Sequence, residues 1–224
     1  MKKILMIFYS LQIIWLVQGA AAAEFRGGMN IGYNGGLGFD VNGTTYQFAQ
    51  DLPLAIRLNL GYAVFDPGNA TAARKIFINN DEGGTIEEKG WIYRFGLDLL
   101  YPVRLFKLPE SYIILGPRYS RFTGNFKYIG DNEDFDVTST HWGIGLGLET
   151  AFPINQKFDF ILNTGADYFF ASTLYGHDTS YSPDGQSNNP QEDYEYTDAD
   201  DAINQPKLEF RLMVGFSYTF GKQK

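Results

Sequence analysis
The most constraining feature of this 224-residue chain is a two-residue hydrophobic alternation carried over unusually long segments. From Leu54 to Val64 the even positions are Leu, Ile, Leu, Leu, Tyr and Val, set against Arg57, Asn59, Gly61 and Ala63. The pattern recurs at Trp91–Val103, Trp142–Phe152, Phe158–Phe170 and Leu208–Phe220. Successive side chains of a strand point to opposite faces, so each segment has one apolar and one polar or tiny face. Strands of soluble sandwiches average about 5–6 residues, whereas crossing a bilayer at a tilt takes about 9–11. These segments reach the second length, and large aromatics gather at their ends (Trp91, Tyr93, Tyr101, Trp142, Phe152, Tyr168, Phe170, Tyr218, Phe220), where interfacial belts sit. The expected fold is all-β, a closed antiparallel transmembrane barrel with long external loops.

The connections order its two ends. Residues 104–110 and 154–156 make short links, 66–89 and 172–206 long ones, and 129–136 an intermediate one. Outer-membrane barrels pair short periplasmic turns with longer external loops. The pattern predicts strands over 53–65, 90–103, 111–128, 137–153, 157–171 and 207–220, with a bulge where Gly116-Pro117 breaks the alternation. Because 53–65 must rise toward a long loop, 25–51 has to supply two more strands. Asn42-Gly43 is a two-residue hairpin signal, which places strands at 25–41 and 44–51 and makes the total eight. A seven-strand alternative treats 42–52 as a turn or short helix.

Residues 1–23 read as a cleavable signal peptide: Lys2-Lys3, an apolar run to Val17, then Ala21-Ala22-Ala23. Residues 24–224 form the barrel domain, expected to be a monomer. The absence of Cys excludes a disulfide scaffold, a thiolate metal site and a lipobox anchor. The formal charge of −8 argues against nucleic acid, which requires a basic stripe.

With the signal peptide and the closing strand Leu208–Phe220, the chain resembles the small eight-stranded outer-membrane barrels of Gram-negative bacteria, such as OmpX and the membrane domain of OmpA. The resemblance is architectural and spans residues 24–220. It implies residence in the outer membrane beside lipid and lipopolysaccharide. It also implies delivery by the barrel-assembly machinery, which reads the terminal aromatic strand, here Phe216, Tyr218 and Phe220. The chain departs from that pattern by continuing past Phe220 with Gly-Lys-Gln-Lys.

If the apolar faces meet lipid, Arg57, Arg94, Asp98, Arg118, Glu149, Asp159, Asp167, Glu209 and Arg211 point inward. Eight strands enclose a space that side chains can fill, and buried charges must be paired. A salt-bridged plug is therefore expected over a polar pore, with Arg57 near Asp98 and Arg211 near Asp167. The two long connections and the intermediate one together hold 17 acids and 3 bases, a net charge of −14. Asp193, Glu195, Asp198, Asp200 and Asp201 are candidate oxygen ligands for Ca2+ or Mg2+, although 196–201 lacks the Gly of a twelve-residue calcium loop. The interleaved Tyr175, Tyr181, Tyr194 and Tyr196 suit contact with an extracellular protein or glycan, or pin the loop over the barrel mouth. No catalytic residue is expected: Ser139 and His141 share a face, but Glu149 lies about 25 Å along the strand, so His141 is read as a rim residue. The functional expectation is a non-enzymatic structural or surface-interaction protein. A small passive channel is the first alternative and a lipid-modifying enzyme the second.

Overall fold
The computed structural model describes residues 24–46, 52–78, 84–130 and 133–220. The signal-peptide reading therefore lies outside the described residues. The barrel strands are β1 (Glu24–Asn34), β2 (Leu37–Tyr46), β3 (Ala55–Phe65), β4 (Thr85–Val103), β5 (Glu110–Ile129), β6 (Glu133–Pro153), β7 (Phe158–Phe169) and β10 (Leu208–Phe220). Each pairs antiparallel with its sequence neighbours, and β1 pairs with β10, so the ladder closes into an eight-stranded ring. Closure leaves no unpaired sheet edge, the condition for a sheet to exist in hydrocarbon.

The alternation fixes which face turns outward. On β4, Tyr93, Phe95, Leu97, Leu99 and Tyr101 are exposed while Arg94, Asp98 and Leu100 are buried. Tyr93 and Tyr101 are eight residues apart, about 26 Å along the strand, which at a tilt of about 35–45° covers about 20 Å of the apolar band.

The first hairpin departs from expectation. The turn lies at Asn34–Leu37, where Gly35 adopts a φ of 63° that favours glycine, and Asn34 N–H donates to the Gly36 carbonyl at 2.8 Å. Asn42 and Gly43 sit inside β2, opposite Asn59 and Leu58. The sequence holds two Asn-Gly pairs, and strand length decides between them. A turn at 34–37 yields strands of 11 and 10 residues, whereas a turn at 42–43 leaves a second strand too short to cross. The bulge expected at Gly116-Pro117 is also corrected. Gly96 pairs with Arg118 and Leu99 with Leu115, so the register is the same on both sides. Pro117 lacks an N–H, which interrupts the ladder without shifting it.

The wall is uneven in height. β4, β5 and β6 have 19, 20 and 21 residues, against 10 to 13 for the other barrel strands. Their upper parts are joined by β8 (Leu174–Tyr175) and β9 (Ser180–Tyr181). Two helices, α1 (Ala70–Ile78) and α2 (Tyr196–Ala202), lie against this extension. Phe122, Phe126, Phe135 and Val137 from the wall meet Ile76 and Phe77 of α1, Leu174, Tyr181 and Ile203 in one apolar core. The Tyr181 hydroxyl donates to the Ile76 carbonyl at 3.0 Å, and its ring meets Phe77 edge-on at 5.4 Å. The long connections thus form a folded cap. Tyr181, Tyr194 and Tyr196 pack against its core while Tyr175 faces out.

Phe77→Ala removes a buried ring, a loss of about 3–5 kcal/mol, from a core separate from the barrel's interior charges. Limited proteolysis in detergent is expected to cleave the variant within 170–207 far faster than the parent, with the slow-migrating unfolded band on unheated gels unchanged in amount.

Candidate functional site: the charged interior
The inward faces converge on one hydrogen-bonded chain of charges. Arg57 on β3 donates through Nη2 to Glu149 Oε1 on β6 at 2.6 Å, and its Nη1 reaches the other oxygen. Arg57 Nε also donates to Thr44 Oγ1 on β2 at 2.9 Å. Asn163 on β7 donates to Glu149 at 2.9 Å and accepts from Arg211 Nε of β10 at 2.8 Å. Arg211 Nη1 lies 2.9 Å from both Asp167 oxygens, and Arg118 of β5 donates to the same carboxylate at 3.0 Å and to Asp98 of β4. β1 joins beside this chain, where Asn30 Nδ2 donates to Asp40 of β2 at 2.8 Å. Bidentate arginine–carboxylate contacts are the strongest side-chain hydrogen bonds available; Arg57–Glu149 spans the lumen from β3 to β6, while Arg211–Asp167 and Arg118–Asp98 join neighbouring strands along the wall.

Two further arginines flank this layer, each with carboxylate partners. Arg94 on β4 reaches Glu209 on β10 at 2.6 Å toward the cap. Arg26, at the opposite end, lies 2.6 Å from Glu24, 3.0 Å from Glu110 and 3.4 Å from Asp159, with its guanidinium 4.6 Å from the Tyr46 ring centroid.

Arg211 and Asp167 lie together as their heights suggested. Arg57 does not pair with Asp98: the two are cross-strand partners in register, but the guanidinium crosses the lumen to Glu149, and Asp98 takes Arg118 instead. Long arginine side chains reach the far wall, which registry alone does not disclose. The sequence reading missed Arg26, Asn30 and Asp40. With the turn at 34–37, Phe25, Met29, Ile31 and Tyr33 face out, and the even positions, including Arg26 and Asn30, turn in.

The inward face of β6 explains why so many arginines fit. Gly143, Gly145 and Gly147 are buried there in succession. A Cβ on Gly145 would stand 2.3 Å from Asp167 Oδ1 and 2.4 Å from Arg118 Nη2. The guanidinium layer lies on bare backbone. Voids of about 20 Å³ beside Asn59 and Arg118 and about 10 Å³ beside Asn30 and Arg57 lie within this layer, room for isolated waters.

Other expected sites take different forms. Asp193, Glu195, Asp198, Asp200 and Asp201 do not converge as a metal centre, and among the described residues no group of three or more His, Asp or Glu does so. Their chemistry is spent locally. Glu195 and Asp198 form the capping box of α2, with Glu195 N–H donating to Asp198 at 2.8 Å. Asp200 accepts from Gln205 at 2.6 Å and pairs with Lys207 at 2.9 Å, while Asp193 and Asp201 are exposed. His141 is not on the rim: it is 1% exposed and faces inward beneath the cap, while Trp142 faces out. Its Nε2 lies 2.7 Å from Ser139 Oγ and its Nδ1 3.0 Å from the Phe170 carbonyl. That spacing suits a nucleophile and base, but both side chains are closed off and Glu149 belongs to Arg57. On β10, Phe216 and Phe220 are exposed, and Tyr218 stacks between Phe158 and Phe220 at 4.9 Å from each.

No family model and no curated protein matches the chain. Among solved structures it is similar to a major outer membrane protein from Thermus thermophilus, at 25% identity and a TM-score of 0.70, over 89% of this chain and 100% of that one. The chain is a small eight-stranded β-barrel of the outer-membrane type. Neisserial surface protein A and Acinetobacter baumannii CarO also match this barrel, at 14% and 12% identity and TM-scores of 0.37 and 0.39, each over 88% of this chain and 97% of the other.

Removing one partner of a buried pair strands a charge, at a cost of about 3–5 kcal/mol. Glu149→Gln is expected to lower the urea midpoint of vesicle-folded barrel accordingly. Gly145→Val drives a side chain into the Arg118–Asp167 contact and is expected to cost at least about 1–3 kcal/mol, while Ile144→Val on the outward face leaves the midpoint near the parent's.

Proposed function
We propose that this chain is a non-conducting, non-enzymatic protein of a Gram-negative outer membrane, exported with cleavage after Ala23, that holds a folded acidic cap at the cell surface. The observation that carries this reading is the interior: a continuous arginine–carboxylate network with voids of about 20 and 10 Å³. A path for solutes through such a lumen requires several buried pairs to break together. The remaining feature with room to vary is the cap. Its connections carry most of the negative charge, and its own apolar core fixes its shape. A rigid acidic surface with Tyr175 exposed suits contact with an extracellular protein or glycan, or with lipopolysaccharide neighbours that maintain the envelope. Phe216, Tyr218 and Phe220 of the closing strand present the aromatic face that the barrel-assembly machinery takes up.

The test is conductance recording in planar bilayers. The expected record is free of porin-like steps, for the parent and for a Phe77→Ala variant with a loosened cap. Steps in the parent would establish a passive channel. Steps in the variant alone would make the cap, rather than the charge network, the barrier.

A further inference from the structure
Charge is costly on the face of a barrel that meets hydrocarbon, and where it stands there it marks a function. From one aromatic belt to the other, the described outward positions of the eight barrel strands are apolar, aromatic, Gly, Pro or Thr with a single exception. That exception is Arg121. It is exposed on β5 between the buried Ser120 and Phe122, directly across from Tyr93 of β4 and Thr140 of β6. Tyr93 belongs to the belt on the cap side, so the guanidinium stands where hydrocarbon gives way to headgroups.

Its surroundings are built from rings, not counter-charges. Toward β3, Tyr62 and Tyr93 lie 5.3 Å apart, and toward β6, Tyr119 meets Trp142 edge-on at 5.1 Å. Among the described residues Arg121 has no hydrogen-bond or ion-pair partner. The charges above it are balanced in place. Lys127 sits in register between Glu87 and Asp134, and Asn125 donates to Asp134 and Asp136 at 2.8 Å each. Arg121 is thus an unmatched cation at headgroup height, flanked by a phenol and an indole whose O–H and N–H suit the polar side of the interface. A guanidinium presents a planar fork of donors that fits a phosphate, where an ammonium acts only as a point charge.

We propose that Arg121, with Tyr93 and Trp142 beside it, binds the phosphate monoester of an anionic lipid headgroup in the cap-side leaflet. A phosphate capped by choline carries its own cation and gains little there. The proposal rests on the barrel lying in a membrane, as the function above requires, but not on whether the lumen conducts.

The test uses the full-length protein folded into phosphatidylcholine vesicles that carry a photoreactive lipid, either a phosphatidic acid or a phosphatidylcholine. Both have the same chains, with a diazirine near the glycerol. After photolysis, labelled positions are mapped by peptide mass spectrometry, and the phosphatidic acid yield is divided by the phosphatidylcholine yield at each. That ratio is expected to be about fivefold higher at residues 91–93, 119–121 and 140–142 than at the outward positions of β1 and β2. Arg121→Gln and Arg121→Ala, exposed changes outside the cap core and the charged interior, should bring it down to the β1–β2 value. Lys127→Gln, with the same charge change higher on the same strand, should leave it near the parent's. An even ratio in the parent, an unchanged ratio in either Arg121 variant, or a matching loss in Lys127→Gln overturns the proposal. Protein recovered outside the vesicles contradicts the membrane reading and the proposal with it, whereas porin-like conductance with the expected labelling contradicts only the non-conducting function.

Discussion
A backbone in hydrocarbon has no water to bond to, and this chain meets that constraint by closing its sheet. Once eight strands form a ring, each residue must face either lipid or the lumen, and the two faces select opposite chemistries. The lumen of eight strands is narrow, so charges placed there cannot stay hydrated individually and must find one another. The network from Thr44 through Arg57, Glu149, Asn163, Arg211, Asp167 and Arg118 to Asp98 follows from this. It draws on seven of the eight strands and ties the far walls together. The run of glycine on β6 is its counterpart, because Arg118 and Arg211 lie over bare backbone there and a Cβ on Gly145 or Gly147 would collide with them.

The same geometry positions the surface features. β4–β6 rise well past the aromatic band, and where they leave it their inward residues change from Arg118 and Ser120 to Phe122 and Phe126. That change creates a second core outside the membrane. α1, the β8–β9 pair and α2 pack on it, which turns long acidic connections into a shaped cap. On the low side of the wall no such extension exists, and there residues 66–69 and 202–204 hydrogen-bond directly to one another.

Much of the fold was legible because period-two alternation reports directly on which face meets lipid. The strand segments from residue 53 onward and the inward set from Arg57 to Arg211 follow from it, and the order of short and long connections supplies the total of eight. What was not legible depended on competition or on distance. Asn34-Gly35 and Asn42-Gly43 carry the same local signal, and the choice between them is made by span length and by the left-handed Gly35. Arg57 and Asp98 are cross-strand partners, yet the longer reach to Glu149 wins. The acids of 193–201 look like a ligand set in one dimension, but helix capping and the Lys207 pair disperse them. The cap was hidden because its core draws single residues from segments more than a hundred positions apart, such as Phe77 and Tyr181, without a periodic signature.

The central claim is that the apolar face of each long strand touches hydrocarbon while its charged face is enclosed. Because the chain contains no Cys, single cysteines can be placed one at a time along β4 from Tyr93 to Tyr101 and given a spin label in vesicles. Accessibility to a lipid-soluble quencher is predicted to be high at 93, 95, 97, 99 and 101 and low at the even positions between them. Uniform accessibility along the strand, or greater access to a water-soluble quencher at the odd positions, would contradict it.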